Sequence, residues 1–201
     1  MSLMPRRVGP IGHKILKCLF LVLFSLPLFS AAQQQDKYSK KEALKVLELI
    51  EEIESAPMDT GLMGKRKVEV SESELNAYIA YRIEAEKEEV MKELRLRLFD
   101  DNRIEGKLFF DLRGQKLPKL LRPEMTFYFS GLMETLDGAV RLKLEELFLE
   151  GQKIQPMVLD LVFFIAARIN KVESSSINDW YLLPYGIADI KVLAGRALFY
   201  Y

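Results

Sequence analysis

The chain has 201 residues with 49% hydrophobic and 10% aromatic side chains, which suits one well-cored domain and not a disordered or fibrous protein. Its 29 basic and 29 acidic residues balance, but residues 1–32 hold four of the basic residues and no acidic one. The remaining 25 basic and 29 acidic residues give a net charge of −4, which argues against nucleic acid as a partner.

Residues 1–32 have the order of a secretory signal peptide. Basic residues precede an apolar run that begins at Cys18, and Ser30-Ala31-Ala32 supplies the small side chains that signal peptidase reads. The run from Cys18 to Ala32 is 15 residues long, short of the roughly 20 that a membrane-spanning helix needs, which disfavours an uncleaved anchor. We therefore expect cleavage near Ala32 and a periplasmic or secreted mature protein.

Cleavage there would also remove the chain's one cysteine and one histidine. The mature chain would then lack the residues for a Ser-His-Asp or Cys-His nucleophile, a His- or Cys-ligated metal site, or a disulfide. Two carboxylates would suffice for glycoside hydrolysis, but the acidic pairs at residues 100–101 and 145–146 fit a turn and a strand irregularity better. We therefore expect no cofactor, no metal and no enzymatic activity.

The rest of the chain divides into an N-terminal helix with its loop and an α+β domain. An amphipathic helix is predicted over residues 38–55, followed by a loop that contains proline and glycine. We assign residues 33–65 to this N-terminal unit and residues 66–201 to the domain. The domain opens with a short strand and a second helix, where Ser71 and Glu74 have the spacing of a capping box.

After the second helix the hydrophobic period changes from about four to two, which predicts antiparallel strands. Turn residues follow at positions 100–102, and Asp137-Gly138 is a strong signal for a tight hairpin. At residues 145–146 the alternation slips by one residue, which indicates a β-bulge. Two further strands flank Gly195. This order predicts a long antiparallel meander with one strongly apolar face in an α+β fold.

The stretch PMVLDLVFFIAARINK, residues 156–171, predicts a helix with far more apolar surface than the buried face of a soluble helix needs. Polar residues occupy about a quarter of its circumference, and Met157 and Phe164 intrude even there. One interpretation is a helix buried between two layers. The other is a helix that packs on the sheet with one face and leaves the opposite face to an apolar groove, which an acyl chain would fill.

Three short motifs follow the predicted signal peptide along the chain. They are Leu75-Asn76 in the capped helix, Asp137-Gly138 between two predicted strands, and the sequence LPYG at residues 183–186. Their order resembles small bacterial envelope proteins of the tubular lipid-binding (TULIP-like) superfamily, notably the LmeA-like and YceB-like types. The resemblance covers about residues 67–201. It implies a long curved antiparallel sheet that wraps one or two helices and binds lipid without enzymatic activity. The N-terminal helix departs from the simplest version of this pattern.

The groove interpretation assigns its lining to apolar side chains of the two domain helices and the strands. The predicted lining residues are Leu75, Tyr78, Ile79, Ile83, Leu96, Leu98, Phe110, Phe127, Phe129, Leu142, Leu144, Leu159, Val162, Phe163 and Ala166. The predicted ligand is an acyl lipid or phospholipid. Burying about 15 methylenes at roughly 0.8 kcal/mol each gives on the order of 12 kcal/mol against water. An acyl chain gains nearly the same free energy when it leaves water for a membrane. A carrier therefore needs only to bind the chain about as favourably as the membrane does.

A basic loop with leucines is the candidate for transient contact with a membrane surface. Residues 113–123 contain no acidic side chain, and two prolines keep the loop out of the sheet. The candidate contact residues are Arg113, Lys116, Lys119, Arg122, Leu120 and Leu121. The alternative is a loop that covers the core with its charges in solvent.

An aromatic cluster near the C-terminal strands is the candidate for the mouth of the groove. Trp180, Tyr181 and Tyr185 would suit a groove mouth or a membrane interface, because each ring has an apolar body and a polar end. Simple packing of a loop is the alternative.

Together these patterns predict a non-enzymatic protein that carries or senses acyl lipids in the periplasm or after secretion. The alternative is an envelope interaction or assembly protein without a lipid ligand, whose sheet edge or apolar helix binds another protein. Lipid in the purified protein would favour the first, whereas a fully packed interior with an exposed apolar patch would favour the second. These patterns do not specify the lipid, its headgroup or the oligomeric state.

Overall fold

A computed structural model describes residues 38–55, 66–119, 121–170, 173–184 and 186–201. The helices in these residues are α1 (Lys40–Ser55), α2 (Glu72–Ala85) and α3 (Pro156–Ile169). The strands are β1 (Lys67–Ser71), β2 (Met91–Leu98), β3 (Arg103–Asp111), β4 (Glu124–Leu136), β5 (Ala139–Leu149), β6 (Gln152–Lys153), β7 (Tyr181–Leu182), β8 (Asp189–Leu193) and β9 (Arg196–Tyr200). The predicted signal peptide, residues 1–32, and the loop at residues 56–65 lie outside the described residues.

The strands form two antiparallel sheets. The larger sheet has the order β2-β3-β4-β5-β6, with β7 paired to β5, and it curls strongly into a half-barrel. The predicted α+β class and curved antiparallel meander are therefore confirmed. The smaller sheet has the order β1-β9-β8, so β9 pairs with the strand that precedes α2, β8 pairs with β9, and neither strand lengthens the meander.

Tight turns with left-handed backbone conformation connect β2 to β3 and β4 to β5. Asp101 and Asn102 have φ angles of 59° and 60°, and Asp137 and Gly138 have φ angles of 50° and 71°. A two-residue turn with φ above zero at both positions matches the twist of the flanking strands, and Asn, Asp and Gly tolerate this conformation best. Both predicted turns are confirmed.

A β-bulge lies in the middle of the β4–β5 pair. Ser130 pairs with Glu146. The next residue, Gly131, pairs with Leu144, so Glu145 is an extra residue in β5. This is the bulge that the slip in the hydrophobic alternation predicts, and a bulge bends its strand and increases the local twist.

Two glycines let β3 and β4 bend close to this bulge. A Cβ atom added at Gly106 would lie 2.1 Å from the ring of Phe129, its partner across the strand pair, so the ring occupies the space of the absent side chain. A Cβ atom added at Gly131 would lie 2.5 Å from the backbone carbonyl oxygen of Lys143. Bulges and glycines at adjacent positions are the means by which sheets curl, and here they lie on neighbouring strands.

The main core lies between the inner face of the curled sheet and the helices. The ring of Phe110 contacts Phe127 and Phe163 edge to face, with centroid distances of 5.8 Å and 5.9 Å, and thereby joins β3, β4 and α3. A smaller apolar cluster joins α1 to β5 and the small sheet. Its buried members are Ile53, Val140, Leu183, Ile187 and Ile190.

Helix α2 covers the free edge of β2. The Asn76 side chain donates from Nδ2 to the carbonyl oxygen of Leu96 at 2.8 Å and accepts at Oδ1 from the Leu96 amide at 2.7 Å. The carboxylate of Glu72 accepts from the amide of Leu98 at 2.7 Å. An edge strand presents unpaired backbone groups to other chains, and here the side chains of α2 satisfy them. The Leu75-Asn76 motif therefore has a structural role.

Candidate functional site

The predicted groove residues lie together between the curled sheet, α2 and α3. The buried members are Leu75, Tyr78, Ile79, Ile83, Leu98, Phe110, Phe127, Phe129, Leu159, Val162, Phe163 and Ala166. Leu96, Leu142 and Leu144 are partly buried and pack against the same cluster. The structure thus brings all fifteen side chains into one apolar interior, where they contact one another.

Helix α3 has a buried apolar face and an exposed apolar face. Leu159 is 0% exposed and Ala166 is 6% exposed, so the part of the helix assigned to the groove is packed in the core. On the outer side Met157 is 75% exposed and Phe164 is 46% exposed. The Arg168 guanidinium lies 6.0 Å from the centre of the Phe164 ring. The apolar side chains left in solvent are therefore the two that intrude among the polar residues of the helix.

Few polar contacts attach α3 to the rest of the protein. Asn170 Nδ2 donates to Glu88 Oε1 at 3.1 Å, and Ser176 Oγ donates to Asp160 Oδ1 at 2.9 Å. At the start of the helix, the side chain of Gln155 makes no capping hydrogen bond. The helix is therefore held on the sheet chiefly by apolar contacts, which are non-directional and which another apolar molecule can replace.

One charged side chain is buried beside this interior. Arg82 donates to the Tyr78 hydroxyl at 3.2 Å and forms an ion pair with Glu86. Burial raises the pKa of the Glu86 carboxyl in spite of its charged partner, and burial also raises the pKa of the Tyr78 hydroxyl. The sequence analysis assigned no role to this pair. Its signal is the i, i+4 spacing of opposite charges on one helix.

The two arginines of the basic loop are paired with acidic residues of the neighbouring strands and turns. Arg113 forms ion pairs with Asp111 and Glu124, and Arg122 forms one with Glu150. The side-chain hydrogen bond from Arg113 lowers the pKa of the Asp111 carboxyl to about 2. These contacts favour the interpretation of residues 113–123 as a loop anchored on the sheet.

The remaining candidates of this loop differ in exposure. Lys116 and Lys119 are exposed and form no ion pair within the described residues. Leu121 is buried in the main core, where it cannot reach a membrane, and Leu120 lies outside the described residues. Among the described candidates of this loop, Lys116 and Lys119 are the two that are both exposed and without an ion pair.

The aromatic candidates lie beside the β4–β5 hairpin. The Trp180 ring packs against the Arg141 guanidinium, whose carbon lies 4.5 Å from the ring centre. The Tyr181 hydroxyl donates to the carbonyl oxygen of Ser176. Tyr185 lies outside the described residues. A cation over an aromatic face and a bonded hydroxyl fix both rings at this end of the sheet.

An exposed apolar tip ends the same hairpin. Leu136 and Leu182 pair with Ala139 from its two sides, so the three side chains lie on one face of the sheet. Leu136 is 58% exposed and Leu182 is 65% exposed. On the same face, Arg141 and Trp180 lie one row behind this hairpin tip. The sequence pattern does not predict this tip, because Leu136 and Leu182 come together only through the pairing of β5 with β7.

A comparison with protein-family models finds no match to this chain, and a comparison with curated proteins finds none either. In the described part of the chain, no group of three or more His, Cys, Asp or Glu side chains is placed to hold a metal ion. No helix of that part has the length and apolar character needed to cross a membrane.

Proposed function

We propose that this protein binds acyl lipids between α3 and the curled sheet and carries or senses them in the periplasm or outside the cell. The observation that supports this most is the attachment of α3. The helix is apolar on its inner and outer sides, and few polar contacts hold it on an apolar half-barrel. No other described element combines these properties.

Side chains fill the described interior, so a lipid enters by displacing α3. Displacement breaks the hydrogen bonds of Asn170 with Glu88 and of Ser176 with Asp160, and a hydrogen bond to a charged group contributes about 1.5–3 kcal/mol. An acyl chain of about 15 methylenes gains on the order of 12 kcal/mol on leaving water and replaces the apolar contacts that the helix loses. The polar links are therefore weak enough for a lipid to open this interior.

The hairpin tip offers the protein a way to reach its ligand in a membrane. Leu136 and Leu182 would enter the apolar boundary, while Trp180 and Arg141, one row behind, would lie at the level of the headgroups. We prefer this arrangement to the basic loop as the membrane contact, because both leucines of the tip are exposed whereas Leu121 of the loop is buried.

Mass spectrometry of organic extracts from the natively purified protein tests the proposal directly. We expect about one acyl lipid for each protein molecule after chromatography. A protein that carries no lipid and takes up no fluorescent fatty acid would contradict the proposal.

A tether between α3 and α2 tests the opening step. Cysteines introduced as Glu88→Cys and Asn170→Cys, in a Cys18→Ser background, can be joined by a short bis-maleimide linker. We expect the joined protein to lose fatty-acid uptake, and the same variant without linker to retain it. Equal uptake by both forms would show that α3 does not move to admit the lipid.

A second candidate function is protein interaction or assembly without a lipid ligand. The observation that favours it is the close packing of Leu159, Val162 and Ala166 in the interior, together with the exposed Met157 and Phe164 outside. Absence of lipid from the purified protein would support this second function.

A further inference from the structure

In the described part of the chain, no strand pairs with the edge of β1 that faces away from β9. Just before the strand, Arg66 and Tyr201 exchange both backbone hydrogen bonds, at 3.1 Å and 3.0 Å. Since antiparallel pairs alternate, Val68 also directs its backbone groups toward β9, whereas Lys67 and Glu69 direct theirs to the opposite side. Within the described residues these outward backbone groups have no hydrogen-bond partner. β1 can therefore accept another strand.

A groove of about 240 Å³ lies between this edge and α1. Val46 and Leu49 of α1 are buried or half-buried and form an apolar surface in the groove. Glu48 and Glu52 stand on the exposed side of the same helix face. The groove therefore has an apolar surface on its buried side and carboxylates on its exposed side.

The charge of this groove is negative and partly uncompensated. The carboxylates of Glu48 and Glu52 form no ion pair or hydrogen bond within the described part of the chain. The other two acidic residues of the groove are already paired, Glu69 with Arg196 and Glu74 with Lys45. Two free carboxylates beside an open strand edge therefore favour a basic ligand.

We propose that an extended, basic segment of a partner protein binds in this groove and adds a strand to β1. Its backbone would pair with the outward groups of Lys67 and Glu69. Every second side chain would point toward α1, where the aliphatic part of a lysine or arginine covers Leu49 and its charged end reaches Glu48 and Glu52. This binding site is independent of the lipid-binding proposal.

A second copy of the chain fits the groove less well. Pairing of two β1 strands around a two-fold axis places the same surface of each copy at the junction. The α1 face that borders the edge would then meet its own copy, with Glu48 and Glu52 on both sides. Like charges at close range oppose such a dimer, whereas they attract a basic peptide.

Peptide binding tests the proposal without change to the protein. The probe is an acetylated and amidated hexapeptide of alternating lysine and valine, titrated by calorimetry at low salt. Two N-methylated forms, each blocked along a different edge of the extended peptide, separate strand pairing from charge attraction. We expect one form to lose at least about tenfold in affinity and the other to bind like the parent. No binding of the parent, or equal affinity for all three peptides, would overturn the proposal.

Charge variants test the acidic wall. Glu48→Gln combined with Glu52→Gln should lower the affinity by about fivefold, and raised salt should have a similar effect on the wild type. The matched control is Glu51→Gln with Glu54→Gln, which removes the same charge from exposed residues of α1 that do not line the groove. If the control variant lost the same affinity, net charge alone would explain the effect, and this would contradict a specific role of Glu48 and Glu52. A dimer in analytical ultracentrifugation that Lys67→Pro converts to monomer would assign the edge to a second copy and overturn the proposal.

Discussion

Asn76 joins a helix to a strand edge with a single side chain. Its amide satisfies both backbone groups of Leu96, and its Nδ2 also donates to the carbonyl oxygen of Glu72 at 2.9 Å. Asn76→Ala would leave the partly buried groups of Leu96 without these partners. Because an unsatisfied buried polar group costs about 1–3 kcal/mol, we expect the free energy of unfolding to fall by that amount.

Urea denaturation measures this change. Asn76→Asp is the control, because a carboxylate keeps the acceptor for the Leu96 amide and loses both donated bonds, which should give an intermediate loss. If the alanine variant were as stable as the wild type, the contact of Asn76 with the edge of β2 would not contribute to the free energy of unfolding.

Asp111 makes the anchoring of the basic loop sensitive to acid. The side-chain hydrogen bond from Arg113 lowers its pKa from 3.8 to about 2. A carboxyl whose pKa is lower in the folded protein stabilises the fold above its unfolded pKa, and this contribution is lost as the pH falls through the folded pKa. The wild type should therefore melt at a higher temperature than Asp111→Asn above about pH 4, and the difference should vanish toward pH 2. Thermal denaturation at a series of pH values provides the measurement, and a difference that is constant with pH would contradict it.

At the scale of the element, Ala166 is the sensitive position of α3. Ala166→Trp adds a large ring to a packed interior, so we expect the free energy of unfolding to fall by about 1–3 kcal/mol. The ring would also occupy the space that an acyl chain needs, and uptake of a fluorescent fatty acid should fall. Met157→Trp adds the same ring on the exposed face and should change neither quantity. Unchanged lipid uptake with a large loss of stability would show that α3 is simply a buried helix.

The curl of the sheet depends on Gly131. A Cβ atom at this position would meet the carbonyl oxygen of Lys143 at 2.5 Å, and backbone at a bulge cannot move aside as a side chain can. We expect Gly131→Ala to lower the free energy of unfolding by about 1–3 kcal/mol, the usual cost of overpacking. Chemical denaturation against the neighbouring Ser130→Ala variant isolates the effect, and equal stability of the two variants would contradict it.

The elements that the sequence predicted are those with local signals. The capping box of Ser71 and Glu74, the two left-handed turns and the bulge at Glu145 each depend on a few adjacent residues. The last strand, β9, pairs with β1, which lies more than a hundred positions away, and no short pattern predicts such a pairing. The two-residue strands β6 and β7 are too short to show a hydrophobic period.

The candidate site shows the same division. Alternation and helical periodicity identify which side chains face inward, and all fifteen predicted lining residues belong to the same apolar interior. Periodicity does not show how closely α3 approaches the sheet, because that distance depends on how the side chains of distant segments interlock. The packing of Ala166 against the core was therefore beyond the reach of the sequence.

At the scale of the whole molecule, the hairpin tip and the basic loop are two candidates for contact with a membrane. Leu136→Asp combined with Leu182→Asp places charge on the exposed tip, and burying a leucine contributes about 1.5–3 kcal/mol. We expect vesicle binding to weaken at least about tenfold, as measured by cosedimentation with phospholipid vesicles. Lys116→Gln with Lys119→Gln is the control for the loop. If only the lysine variant lost vesicle binding, the basic loop would be the membrane contact, and the proposal for the hairpin tip would be wrong.

The pairing of β1 with β9 sets an order for folding. Glu69 and Arg196, which form an ion pair across these strands, lie 127 positions apart, whereas the connections within the meander are far shorter, the longest of them being residues 112–123 between β3 and β4. Contacts between distant positions form late in folding. Closing the long loop between them costs conformational entropy before the pairing contributes any stabilisation. A chain that emerges from the ribosome or a translocon can therefore form the curled sheet before β1 pairs with β9. During that interval neither edge of β1 is paired with β9, so we expect this strand to be exposed to pairing with other chains.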